Sequence, residues 1–342
     1  MLKRRPPAFW SDPKARLWPW LLSPFEGVVA YLARHRQRRQ GWSVPVPVLC
    51  CGNLTTGGTG KTTVIMDLAT RLIRQGKHPH VLTRGYGGRA APGTRVDPAR
   101  HTARDVGDEP VLLAGICPVW VGADRVQTAR AAVAAGADCL LMDDGFQNPG
   151  LNKTFSLLVV DGSVGLANGH VLPAGPLRER PAEAFARASA VLVIGPDRTG
   201  VCAGLAEYGL PVFRAGLVQS ADVAALHGRA CVAFAGLGRP EKFFEGVRAA
   251  GIRLARALAY PDHYFYKSRD MRHLSNIARA EQACLVTTPK DAVRLPPAFR
   301  CHVVEIGVDL VWEHPADAEW IISTLFERFT AHAPATMAAK SP

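Results

Sequence analysis

No CxxC pair occurs among the eight cysteines, which lie scattered at positions 50, 51, 117, 139, 202, 231, 284 and 301. That excludes a disulfide scaffold, and the cysteines, several inside apolar runs, read as reduced core residues of a cytosolic protein. Charge is sparse as well, at 20% of 342 residues against 48% hydrophobic. Such a composition excludes disorder as the main state and, at roughly 100–200 residues per domain, supplies one large or two ordinary domains. No apolar run is long and clean enough to span a bilayer, which takes roughly 20 nearly uncharged residues. The best candidate, Leu17 to Leu32, is interrupted by Pro19, Pro24 and Glu26. A secretory signal is excluded too, because a basic cluster follows directly.

What charge there is sits unevenly. Residues 1–40 hold nine Lys/Arg and two acids, a net +7 of the chain's +12. A nucleic-acid binder would spread its charge and carry an RRM, zinc or helix-turn-helix signature, none of which is found. Trp10, Trp18, Trp20 and Trp42 flank the apolar run, and Arg34–Arg39 follows it. Aromatics beside a basic cluster are what an in-plane anchor on an anionic leaflet requires, a helix or hairpin packed on the protein being the other reading.

Val44–Cys51 reads as a buried strand running into Gly52-Asn-Leu, then Thr55, Thr56, Gly57, Gly58, Thr59, Gly60, Lys61, Thr62 and Thr63, then an apolar helical period at Val64, Ile65, Leu68 and Leu72. A strand, a glycine loop, Lys-Thr and a helix make a P-loop: backbone N–H groups cradle phosphates, Lys61 reaches the β/γ oxygens and Thr62 ligates Mg²⁺. The first glycine of GxxxxGK[ST] is missing, replaced by Thr55. A second strand, Ala137–Met142, ends in Asp143-Asp144-Gly-Phe-Gln147. Acids at the tip of a neighbouring strand place carboxylate beside that metal. Strand-like runs at Val81–Leu82, Leu157–Val160 and Ala190–Ile194 alternate with helical stretches, so the fold class is α/β with a P-loop NTPase-like, mostly parallel sheet.

Polar islands fall where such strands end: Arg84-Gly-Tyr-Gly-Gly88, Gly107-Asp-Glu-Pro110 and the loop Asn168–Arg180. Asp108 or Glu109 is either a helix cap or a reactive acid at this level. Two other P-loop classes lack support. A switch ATPase carries a second lysine early in the loop, where Thr56 stands. The guanine motif of a GTPase is broken by Pro289 in Thr288-Pro-Lys-Asp291, which reads as a structural turn.

Taken together, these motifs resemble the tetraacyldisaccharide 4'-kinase family, with Leu172-Pro-Ala-Gly-Pro-Leu-Arg178, Phe234-Ala-Gly-Leu-Gly, Pro261-Asp-His263 and Thr287–Val293 completing the set in order. The Thr55 departure is itself a family feature. The resemblance implies ATP- and Mg²⁺-dependent phosphorylation of the 4'-hydroxyl of a tetraacylated glucosamine disaccharide 1-phosphate, the lipid A precursor, to give lipid IVA. It implies a peripheral, monomeric enzyme on the cytoplasmic face of the inner membrane, held to that anionic surface by its N-terminal segment. It implies a catalytic Asp108 assisted by His263, with Lys61, Thr62, Asp143 and Asp144 on phosphate and metal. Arg125 becomes the cation on the transferring phosphoryl, the alternative being an ion pair with Asp124. Tyr86, Glu109, Gln147, Asn148 and Arg178 fall on the substrate side. Asn148 stands where the family commonly has His. The implied layout is a membrane-associating segment 1–40, a P-loop domain 41–210 and a smaller α/β domain 226–300. A two-stranded ribbon, 211–225 with 301–312, its strands at Pro211–Val218 and His302–Val308, joins the two domains, and a C-terminal helix and tail fill 313–342. Closure of the domains about that ribbon is expected to bring His263 to Asp108.

Overall fold

The computed structural model describes residues 7–12, 14–85 and 88–332, so Tyr86 and the tail beyond 332 lie outside the described residues. Among the described residues, thirteen strands form two sheets. They are β1 Val48–Gly52, β2 Pro79–Thr83, β3 Thr94–Arg95, β4 Val119–Val121, β5 Cys139–Asp143, β6 Phe155–Asp161, β7 Ala190–Ile194, β8 Val212–Gln219, β9 Ala230–Ala235, β10 Arg253–Ala259, β11 Cys284–Thr287, β12 Val303–Glu305 and β13 Val308–Trp312. The large sheet runs β13-β8-β7-β6-β1-β5-β2-β4-β3. Its pairs are parallel except the outermost on each side, β13–β8 and β3–β4. The smaller sheet, β10-β9-β11-β12, is wholly parallel.

The expected mostly parallel α/β fold is what forms, with helices covering both faces of the large sheet as parallel strands require. The P-loop strand begins only at Val48, because Pro45 and Pro47 cannot donate to a ladder. It lies between β5 and β6, which puts Asp143 at the tip of the strand next to the P-loop. The helix Lys61–Arg74 buries Val64, Ile65, Leu68 and Leu72 against the sheet. At ~1.5–3 kcal/mol per buried side chain, those four fix the loop's helical end with roughly 6–12 kcal/mol. The C-terminal helix Ala316–His332 adds Ala318, Ile321, Ile322 and Leu325 to the same core.

The crossing between the sheets differs from the expected ribbon. β8 pairs in parallel with β7 at one end and antiparallel with β13 at the other. The two linking strands are therefore the edge of the large sheet, and the second is Val308–Trp312 in place of His302–Val308. Val303–Glu305 pairs with β11, so the smaller unit extends beyond residue 300. Its strand β10 carried no alternation in the sequence and is largely exposed.

Residues 17–37 form one helix through both prolines, with Pro24 inside it. Pro19 falls in the first turn, where its missing N–H costs nothing. At 100° per residue, Leu17, Trp20, Leu21, Phe25, Val28, Tyr31 and Leu32 fall on one arc of roughly 140°, and all are exposed. The opposite side, with Ala30 and Glu26, packs on the protein. The usual polarity of a surface helix is thus inverted. No helix among the described residues is long and apolar enough to cross a membrane.

Candidate active site

The phosphate loop is shaped from behind by Asn53, fully buried, whose Nδ2 donates to the carbonyls of Thr55 (2.8 Å) and Gly57 (3.2 Å). Thr55 and its neighbours take their other partners from the long loop after β6: the Thr56 N–H donates to the Pro176 carbonyl at 2.9 Å, and the Arg178 N–H to the Leu54 carbonyl at 2.8 Å. Thr55 replaces the missing glycine as a buried residue bridging to Leu177. Gly60 caps the helix at φ +87°, where a Cβ would stand 3.0 Å from Ile194 Cδ1. Only glycine combines that backbone with that space.

Around this loop the acids and cations form one connected set. Lys61 Nζ stands 3.6 Å from Asp144 Oδ1, which also accepts from Arg178 at 2.8 Å. Arg178 donates on to Gln147 Oε1 at 3.2 Å. Gln147 Nε2 donates back to the Asn53 carbonyl at 3.0 Å. Gln147 is therefore a strut between the phosphate loop and Arg178. Asp143 is 2% exposed and its Oδ1 lacks any hydrogen-bond partner. Burial, with the charges of Glu109 and Asp144, pushes its carboxyl up to about 7 against the pull of Lys61 and Lys290. Asp144 adopts φ +51°, a left-handed backbone that a non-glycine residue keeps only when its surroundings enforce it.

Asp108 is the first residue of the helix Asp108–Leu113, whose cap is Gly107 with no side-chain bond. The cap reading therefore lapses. Its Oδ2 lies 3.1 Å from His263 Nδ1 and accepts from Arg294 Nη2. Burial alone would raise this carboxyl, but the His263 bond and the Arg294 charge hold it well below the usual range. His263 comes from the smaller unit, at φ +56°, with its N–H on the Gly236 carbonyl at 3.0 Å. The two domains meet with the pair already in contact. Glu109 makes a second crossing, a 2.6 Å ion pair with Lys290.

Arg125 is 4% exposed and donates from Nη1 to the Gly122 carbonyl at 2.6 Å, its Nε left without a partner. Asp124 instead caps the helix Arg125–Ala134 by accepting from Val126 and Gln127, so the alternative ion pair is not formed. Burial lowers the guanidinium's pKa, opposed chiefly by the charge of Asp143. Beside it a cavity of about 340 Å³ is lined by Arg84, Gly85, Gly88, Ala90, Pro92 and Gly122. Asn148 is directed elsewhere: its Oδ1 accepts from the Gly150 N–H at 2.8 Å and closes a turn. Asn53, Lys290 and Arg294 were not singled out from sequence. Lys290 and Asp291 sat in a motif taken for a turn, and Asn53 lay inside the phosphate-loop motif without an assigned role.

Thr62, Asp143 and Asp144 offer oxygen donors at the end of the phosphate loop and at the tip of the neighbouring strand. Such donors fit Mg²⁺, which takes one or two carboxylates with phosphates and waters, and the Asp143 Oδ1 left without a hydrogen-bond partner is free to serve as one.

A family model described as Tetraacyldisaccharide-1-P 4'-kinase matches residues 18–327. A Tetraacyldisaccharide 4'-kinase of Gluconacetobacter diazotrophicus is 55% identical over 323 residues, covering 94% of this chain and 98% of that relative. Its namesake in Rhodospirillum centenum is 49% identical over 326 residues, 93% and 96% of the two chains. Among solved structures, LpxK from Aquifex aeolicus in complex with ATP aligns with TM-score 0.73 and 25% identity over 91% of this chain and all of that one. The chain belongs to the tetraacyldisaccharide-1-phosphate 4'-kinase family and is a kinase of lipid A biosynthesis.

Proposed function

We propose that this enzyme transfers the γ-phosphoryl of ATP to the 4'-hydroxyl of a tetraacylated disaccharide 1-phosphate, giving lipid IVA, with Asp108 receiving the hydroxyl proton. The observation that carries this reading is the Asp108–His263 contact made across two domains beside a P-loop. A carboxylate with so low a pKa is a weak base. A loose phosphoryl-transfer transition state asks little basicity, however, and mainly needs the nucleophile oriented and its proton accepted late. His263 orients Asp108 and supports its charge.

Phosphates sit on the N–H groups of Gly57–Gly60 with Lys61 on the β/γ oxygens. Thr62, Asp143 and Asp144, the last fixed by Lys61 and Arg178, would hold Mg²⁺. Bound there, the ion would supply positive charge against the developing charge of the transferred phosphoryl. Arg125, buried with an unpartnered Nε, is the cation assigned to the transferring phosphoryl. Arg178, bonded to Asp144 and Gln147, serves the metal side of the site and not a distant lipid phosphate, while Glu109 belongs to the domain contact with Lys290. Tyr86 is assigned to the substrate from its motif alone.

The protein is a monomer bound peripherally to the cytoplasmic face of the inner membrane. The outward arc from Leu17 to Leu32 enters the leaflet, and Arg34, Arg36, Arg38 and Arg39 meet anionic headgroups. The test is γ-labelled ATP, Mg²⁺ and a tetraacyl disaccharide 1-phosphate in detergent micelles. Labelled lipid supports the kinase; ATP hydrolysis without labelled lipid overturns it in favour of a membrane-recruited switch ATPase.

A further inference from the structure

We infer that Arg294 is a positioning residue for phosphoryl transfer, holding one oxygen of Asp108 from the smaller domain so that the other is presented to the substrate hydroxyl. The inference rests on Asp108 being the proton acceptor.

Arg294 is buried to 1% exposure with partners on both terminal nitrogens. Its Nη1 donates to the Gly236 carbonyl at 3.0 Å and to Asp291 Oδ1 at 3.1 Å, both in its own domain. Its Nη2 reaches across to Asp108 Oδ2. Asp291, itself wholly buried, accepts from the Gly236 N–H at 2.8 Å, the Tyr266 hydroxyl at 2.8 Å and the Thr288 hydroxyl at 2.7 Å. The guanidinium is thus bolted to a platform built from the loop after β9, the Tyr266 segment and the turn at 288–291. One side of its fork is left to point out of that domain. A buried lysine could not do this, since a single ammonium lacks two fixed donor directions.

The consequence falls on the geometry of Asp108. His263 Nδ1 and Arg294 Nη2 both address Oδ2, and no hydrogen bond reaches Oδ1 among the described residues. A carboxylate free to turn about its last bond offers either oxygen in many directions. One pinned at Oδ2 from two sides offers Oδ1 in one. A proton acceptor must sit within about 2.6–3.2 Å of the hydroxyl it serves, and a misplacement of about 1 Å costs on the order of 10²-fold. Asp291 already supplies a counter-charge within Arg294's own domain, so Asp108 is not needed to neutralise the cation.

The test is a double-mutant cycle in single-turnover transfer to the lipid disaccharide, using the full chain with Arg294→Gln, Asp108→Asn and both. Arg294→Gln is expected to lower kcat about 10- to 100-fold with KM for ATP unchanged. In the Asp108→Asn background the same change is expected to cost less than about 3-fold, because its effect passes through that carboxylate. Losses that multiply, or a raised KM for ATP with kcat intact, overturn the inference while leaving Asp108 as acceptor. A wild-type rate for Asp108→Asn overturns the acceptor reading instead. If Arg294→Gln does not fold, Arg294→Lys, which keeps the charge and loses the fork, enters the same cycle with the same expected coupling.

Discussion

Replacing Phe25 and Leu32 of the N-terminal helix with serine removes two side chains that are 61% and 59% exposed. Complete burial of such a residue yields ~1.5–3 kcal/mol, so the part still exposed holds about 1–1.8 kcal/mol each when it enters a leaflet. The pair then contributes about 2–3.5 kcal/mol, or roughly 30- to 300-fold in partitioning at 1.4 kcal/mol per decade. The basic cluster adds ~1 kcal/mol per Lys/Arg near an anionic surface, and salt screens it. Sedimentation with vesicles containing anionic phospholipid, at low and high salt, separates the two contributions. The double variant should lose binding by that factor at both salts, whereas wild type should weaken with salt and still bind. Neither serine lies on the side that packs against the protein, so transfer to micellar substrate should persist. Unchanged partitioning would show that the exposed arc does not meet the membrane.

Asp143 and Asp161 make opposite predictions on pH. Burial raises the Asp143 carboxyl to about 7. The unfolded chain ionises near pH 4 and the metal-free fold only near 7, so this group's contribution to stability falls as pH climbs through that window. Metal-free Asp143→Asn should therefore melt higher than wild type above pH 7, and adding Mg²⁺ should raise the Tm of wild type alone. Asp161 is depressed to about 2: burial works against this, but the Ser163 hydroxyl and Lys242 more than offset it. It links the large sheet to Arg239 (3.0 Å) and Lys242 (2.9 Å) of the smaller unit. Its contribution is present above about pH 4 and lost as pH falls toward 2. Asp161→Asn should flatten the Tm-against-pH curve between those values, and an unaltered curve would show that the link adds nothing.

Much of the site was legible because phosphate and metal chemistry is local in sequence. The P-loop needs a strand, glycines, lysine and a helix within about twenty residues, and β5 announces itself by an apolar run ending in Asp143 and Asp144. Contacts between the two units were less legible. Nothing local to Thr288-Pro-Lys-Asp291 tells a turn from the platform that aims Arg294 at Asp108, 186 residues away. The same holds for Lys290 and Glu109. The N-terminal prolines read as breaks, yet one falls in a first turn and the other is carried inside the helix. The second linking strand was misplaced because Val303–Glu305 and Val308–Trp312 are equally strand-like, and only pairing assigns one to each sheet.

The most direct test of the central claim is Asp108→Asn under single-turnover conditions, with ATP affinity measured alongside. Labelled lipid should form on the order of 10²-fold or more slowly, with ATP bound as tightly as in wild type, because Asp108 contacts His263 and Arg294 and not the phosphate loop. Transfer within a few-fold of wild type would contradict it.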